Sequence, residues 1–142
     1  MFACIAIFIS SCSNKQENYI IEAGERLVVV GNIIDSNNEI TAETYYYWPS
    51  NILIDEKSVK SSIIVNRYRC STLEAAPISV TLNLTDGTSL TEEIDFKNYK
   101  NENSEIMSIL CNRAYYKHKA LNKSIDTIIE VYENRLETAN FS

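Results

Sequence analysis

The chain has 142 residues, 45% of them hydrophobic and 23% charged, with only 3 Gly and 2 Pro. These proportions exclude a disordered tail, a coiled-coil rod, a polytopic membrane protein and a collagen-like or linker-rich chain, and they fit one compact domain. A formal charge of −6 argues against a polyanionic partner, so no nucleic acid is expected.

Met1 to Ser11 carries no charged side chain, and Phe2 to Ile9 is an unbroken apolar run. Such a run spans about 12 Å as a helix, against about 30 Å for a bilayer core. It therefore has the length of a signal-peptide hydrophobic region rather than of a membrane anchor. It ends in Ile9-Ser10-Ser11-Cys12, an aliphatic residue, two small ones and a cysteine. That is the pattern of a bacterial lipobox. Small residues let a peptidase approach the backbone, and the Cys12 thiol accepts the lipid. No Lys or Arg precedes the run, so the true start codon is expected upstream. Residues 1–11 are read as a lipoprotein signal peptide, and residues 12–25 as the lipidated N-terminus and a polar tether. Residues 26–142 are read as a single α+β domain. The plainer alternative is a buried N-terminal strand with an incidental Cys12.

Arg26 to Val30 is a short β-branched run, followed by Gly31-Asn32 and then Ile33-Ile34. Asp35-Ser36-Asn37-Asn38 is turn chemistry, because Asp and Asn bond their own backbone and tolerate left-handed conformations. Glu39 to Trp48 reads as a strand ending before Pro49, and Ile52 to Ile54 as a further extended piece closed by Asp55-Glu56-Lys57-Ser58. Ser61 to Cys70 is another strand, with Arg67 and Arg69 alternating against Tyr68 and Cys70. Ile78, Val80, Leu82 and Leu84 alternate with polar residues at a period of two, and Asp86-Gly87 separates them from Leu90 to Phe96 as a hairpin. The expectation is an antiparallel sheet of about five or six strands with one polar face.

After Gly87 there is no Gly and after Pro77 no Pro, so the last third is free to be helical. Ile106, Leu110 and Ala114 repeat every four residues, with Asn103 or Ser104 placed to cap. Leu121, Ile125, Ile128, Ile129, Tyr132 and Leu136 form a wider apolar stripe, opposite Asp126, Glu130, Glu133 and Glu137, which should stay wet. The helical part is expected from about residue 104. One bent helix or two are both compatible with the stripes. Lys117, Lys119 and Lys123 ahead of the acidic residues would oppose the dipole of a helix starting near 120, which favours one continuous helix. The face is expected to pack on the sheet of the same chain.

Chemistry-bearing constellations are few. Cys4 leaves with the signal and Cys12 takes lipid, so Cys70 and Cys111 are expected to pair in an oxidising compartment. Neither has further ligands at metal spacing, and no metal or cofactor is expected. His118, the single histidine, lies between Lys117 and Lys119 with no triad-like partners. Glu92-Glu93 with Asp95 could be drawn as paired carboxylates for acid–base work, but adjacent residues on a strand point to opposite faces and cannot share a site, so solvated edge charges are expected. Arg113, Lys117, Lys119 and Lys123 form a weak basic patch. No catalytic residue is assigned and no enzymatic activity is expected. Tyr45-Tyr46-Tyr47-Trp48 is the most distinctive stretch. Its alternate residues either pack on the two sheet faces, or one pair stays exposed as a contact patch for a protein or glycan.

Together these elements resemble the surface-adhesin E family, small lipoproteins of Gram-negative bacteria. The resemblance lies in the lipobox, in Ile33-Ile34-Asp35-Ser36, in Ser61 or Ser62 ahead of Cys70, and in Ser104 ahead of Cys111. It covers roughly residues 27 to 111 and implies a disulfide-linked sheet packed on a helix. The family's Pro near the helix-opening Ser is missing here, and Asn112 to Ser142 is additional. Binding in the family is attributed to surface segments outside these motifs, so no binding residue carries over. Tyr68-Arg69-Cys70 is also similar to the periplasmic lysozyme-inhibitor lipoproteins, without their Ser- and Gly-containing inhibitory loop. The expected function is a lipid-anchored outer-membrane module, surface-exposed or periplasmic, that binds a host matrix protein or an envelope partner. The alternative is a periplasmic inhibitor or immunity lipoprotein.

Overall fold

A computed structural model describes residues 17–94, 98–102, 104–112 and 121–140, the last four through their backbone only. The signal segment, Cys12, Asp95, Ala114 and the group Arg113, Lys117, His118 and Lys119 lie outside those residues.

Seven antiparallel strands form one sheet: β1 (Tyr19–Ala23), β2 (Leu27–Ser36), β3 (Glu39–Ile54), β4 (Lys57–Arg69), β5 (Glu74–Leu84), β6 (Ser89–Glu93) and the short β7 (Lys100–Asn101). The first six are neighbours in chain order, a meander, while β7 pairs with the end of β5 that β6 leaves free. Among the described residues two helices follow, α1 (Glu105–Cys111) and α2 (Ile125–Asn140). The α+β architecture of sheet, C-terminal helices and disulfide is therefore the one expected. The tether ends earlier than residue 25, because Tyr19–Ala23 pair with β2.

Local chemistry sets the turns. Asp55 and Glu56 both take positive φ (51° and 66°), the requirement of a two-residue hairpin whose twist matches its strands. Gly87, at φ 91°, closes the β5–β6 connection, where Asp86 Oδ1 accepts from both the backbone and the hydroxyl of Thr88. Pro49 does not end β3. It falls where the β3–β4 register breaks between Tyr47 and Ile52, a bulge that needs no donor from it, and pairing then resumes.

The expectation of one polar face fails at β2. Leu27, Val28, Val29 and Val30 are all at most 3% exposed, so this strand is covered on both sides. On one face Val30, Ile40, Ala42 and Tyr68 pack with Met107 and Leu110 of α1. On the other, Leu27, Val29 and Tyr47 pack with Ile128 and Tyr132 of α2. Helices on opposite faces cannot be one bent helix, and Asn112 and the residues 121–124 are non-helical. α2 starts at Ile125, not near residue 120, which removes the conflict with the lysines. Ser124 Oγ caps Thr127 N at 3.2 Å, leaving Lys123 ahead of α2 and Asp126 in its first turn, where the dipole favours it. Ser104 Oγ caps α1 in the same way, accepting from Met107 N at 3.2 Å.

Three ties fix the helices. Cys70 and Cys111 form the expected disulfide, with a Cα–Cα distance of 5.6 Å, joining the end of α1 to the residue after β4. Tyr132 OH donates to the Gly24 carbonyl at 2.6 Å. Buried Asn18 exchanges backbone hydrogen bonds with Leu121, and its Nδ2 donates to the Lys123 carbonyl at 2.6 Å. Glu133 does not stay wet, because it accepts a short hydrogen bond from Tyr47 OH.

Candidate contact face

The two alternate pairs of the aromatic run meet different surroundings. Tyr45 and Tyr47 point to the α2 face, in register with Val29 and Leu27. Tyr47 is 4% exposed and meets the Tyr132 ring edge-on, with centroids 6.2 Å apart. Burial first, and then its hydrogen bond to Glu133, push the Tyr47 hydroxyl far above the usual phenol range. Tyr47 is thus part of the core, and half-buried Tyr45 packs against it.

Tyr46 and Trp48 point to the opposite face, both half-buried, and stack with centroids 5.9 Å apart and planes 10° from parallel. The Arg26 guanidinium carbon lies 5.3 Å from the Tyr46 ring centroid, which is cation–π distance. Burial is also the main cause raising the Tyr46 hydroxyl, with the Arg26 charge acting the other way. Sequence alone does not reveal Arg26 as a partner, because the contact depends on the β2–β3 register that places Val28 opposite Tyr46.

From Tyr46 the same sheet row runs through Ser62 and Leu82 to Leu90. At its far end the β3–β4 turn stands beside β5 and β6. A groove of about 300 Å³ opens there, lined by Ile54, Asp55, Lys57, Val80, Leu82, Leu90, Thr91 and Glu92. The alternation in β5 could have announced its apolar floor, whereas the Ile54 wall arises from the hairpin bend. Glu92 and Glu93 are exposed on their strand.

On the α2 face, Glu39 accepts from Arg69 Nε at 2.8 Å and from Tyr99 OH at 2.7 Å, with Arg67 Nη1 at 3.5 Å. The hydrogen bond from Arg69, then that from Tyr99, hold its carboxyl below the ordinary 4.5. With Arg69 lying 3.5 Å from the Tyr99 ring centroid, this cluster fastens the chain ahead of β7 and is structural.

Among the described residues no group of three or more His, Cys, Asp or Glu is placed to hold a metal ion, and no helix is long and apolar enough to cross a membrane. The arrangement offers the Tyr46–Trp48 stack, the Arg26 guanidinium beside it, and a groove of mixed apolar and polar lining. Compared with family models, curated proteins and solved structures, the chain matches none.

Proposed function

We propose that this chain is a non-enzymatic envelope lipoprotein, held at the bacterial outer membrane through Cys12, that acts as an adhesin-like protein-binding module. The observation that carries the reading is the Tyr46–Trp48 stack with Arg26 over the Tyr46 ring. Rings already braced by the sheet lose little freedom on binding, and Tyr, Trp and Arg are the residues that dominate protein interfaces. The lipobox-like Ile9-Ser10-Ser11-Cys12 supports the envelope address, and the Cys70–Cys111 pair suits an oxidising compartment.

Capture of partners from envelope and host-matrix lysates tests it, comparing the parent with a Tyr46→Ser/Trp48→Ser variant. The variant is expected to lose a specific partner while keeping most of its melting temperature. The control, Tyr45→Ser/Tyr47→Ser, should melt far lower. Partner capture equal in parent and Tyr46→Ser/Trp48→Ser variant would remove the aromatic face from the proposal. Cys12→Ser should leave the membrane fraction, and protease treatment of intact cells separates surface display from a periplasmic position.

A further inference from the structure

The free edge of β6 and the groove beside it meet along one line. Ile94 N donates to the Ile78 carbonyl at 2.8 Å, and Leu84 N donates to the Thr88 carbonyl at 2.8 Å. With the register Val80↔Glu92 and Leu82↔Leu90, these bonds fix which pairs of the β5–β6 ladder are hydrogen-bonded. By the alternation of an antiparallel ladder, Ser89, Thr91 and Glu93 fall at non-bonded pairs. Their backbone N–H and C=O groups therefore point away from β5. The contact of Thr81 Oγ1 with Thr91 Oγ1 at 3.0 Å fits such a close, non-bonded pair. All five residues of β6 are exposed, and no described strand pairs with that edge.

Such an edge invites another strand, and natural proteins blunt it with proline, a bulge, short length or charge, of which β6 has the last two, being 5 residues that end in Glu92 and Glu93. Here the β5–β6 pairing is unbroken from Ser79↔Glu93 to Asn83↔Ser89, with no proline in β6. A strand laid beside it would set every second side chain on the groove side, next to Leu90, which is 43% exposed, and Glu92.

Charge decides the occupant. Glu92 and Glu93 leave opposite faces of the same strand end, and Asp55 and Glu56 are exposed at the neighbouring turn, while among the described residues lining the groove Lys57 is the one cation. A second copy of this chain would bring its own Glu92 and Glu93 to the same narrow edge. A basic strand would meet complementary charge instead. We propose that β6 takes an extended segment of a partner protein by strand addition, with an aliphatic side chain in the groove at Leu90 and Lys or Arg beside Glu92 and Glu93. This rests on the protein-binding reading and names the kind of segment bound. Main-chain bonds supply affinity, and the groove and charges supply selection.

The test uses the full chain and two short labelled peptides, one with lysines two and three residues from a valine, so that valine at Leu90 sets lysines beside Glu92 and Glu93, the other with glutamates in place of those lysines. The basic peptide is expected to bind and the acidic one not. Thr91→Pro removes an N–H that faces away from β5, so the sheet's own bonds survive. It should weaken the basic peptide about tenfold or more, the worth of one or two main-chain hydrogen bonds. Glu92→Lys/Glu93→Lys should exchange the two preferences, which keeps the test decisive if the proline variant fails to fold. Equal binding of both peptides overturns the proposal, as does basic-peptide binding untouched by Thr91→Pro in a folded protein. So does a solution dimer that Thr91→Pro converts to monomer, since a second copy then occupies the edge. Loss of partner capture in Tyr46→Ser/Trp48→Ser with peptide binding absent throughout discards strand addition and leaves the binding-module reading standing.

Discussion

The β2 side of the sheet and the β5–β6 side are built from the same hairpin chemistry but are covered very differently. At β2, Leu27 to Val30 are buried on both faces, by α1 on one and α2 on the other. At β6 every residue is exposed, and β5 is only half-covered along most of its length. The sequences already differ in kind, because Leu27-Val28-Val29-Val30 is a continuous apolar run while β5 alternates. A continuous run asks for two covers and an alternating one for a single cover. The difference separates the stability of this protein, concentrated around β2, from the surface it has free to offer.

The largest way to break that contrast is to uncover β2. Truncation after Asn112 removes α2, including buried Ile128 and Tyr132, and exposes Leu27, Val29 and Tyr47. Losing such side chains costs about 2–5 kcal/mol each, and a domain has only about 5–15 kcal/mol in all. The truncated chain should therefore aggregate or lose its cooperative melt in calorimetry. A truncated domain as stable as the parent would show that α2 is an appendage.

The other cover is held by a crosslink. Cys70→Ser opens a bridge with a sequence separation of 41, which the chain-entropy relation values at about 4 kcal/mol. Urea unfolding should show that loss, and alkylation of the unreduced parent should find neither Cys70 nor Cys111 reactive. A smaller effect is expected at Gly31. A Cβ there would lie 1.8 Å from Asn18 Oδ1, so Gly31→Ala must displace the side chain that binds the Lys123 carbonyl. A cost of about 1–3 kcal/mol is expected for a buried amide left unpaired. Asn18→Ala in the same background should recover part of it, since the clash is then gone.

Much of the sheet was legible because its turns are written in residues that bend chains: Asn37-Asn38, Asp55-Glu56 and Asp86-Gly87 each sit between strands. β1 was hidden because Glu17 to Glu25 mixes charge and apolar residues without a clear period, and its place depends on pairing with β2. The two helices were hidden in a subtler way. Their stripes are nearly in phase, and phase along the chain carries no information about which face of a sheet each helix will meet. At the candidate contact face, sequence supplied the alternation of Tyr45 to Trp48. Coverage by α2 and the reach of Arg26 and Ile54 came from long-range pairing, which no local pattern encodes.

The smallest effect lies at the border between the covered and bare halves, where Glu39 gathers Arg69, Arg67 and Tyr99. The Arg69 hydrogen bond, then the Tyr99 hydrogen bond, lower its carboxyl below the ordinary 4.5, so the folded state favours the ionised form. The contribution of Glu39 is thus fully present above about pH 4.5 and is lost as the pH falls through its lowered folded value. Tyr99 has the opposite sense, raised first by burial and then by its bond to the Glu39 carboxylate. Its contribution is complete below the ordinary 10.0 and is lost as the pH rises beyond it. Glu39→Gln removes both dependences at once. Its melting temperature should fall less steeply than the parent's below about pH 4.5, and tyrosinate absorbance should show one phenol titrating earlier. The cluster is partly open to solvent and both effects are modest, as for exposed ion pairs generally. A parent and variant with superimposable acid and alkaline profiles would mean that the Glu39 carboxylate adds nothing to holding β7, which keeps its backbone pairs with Glu74 and Ala75.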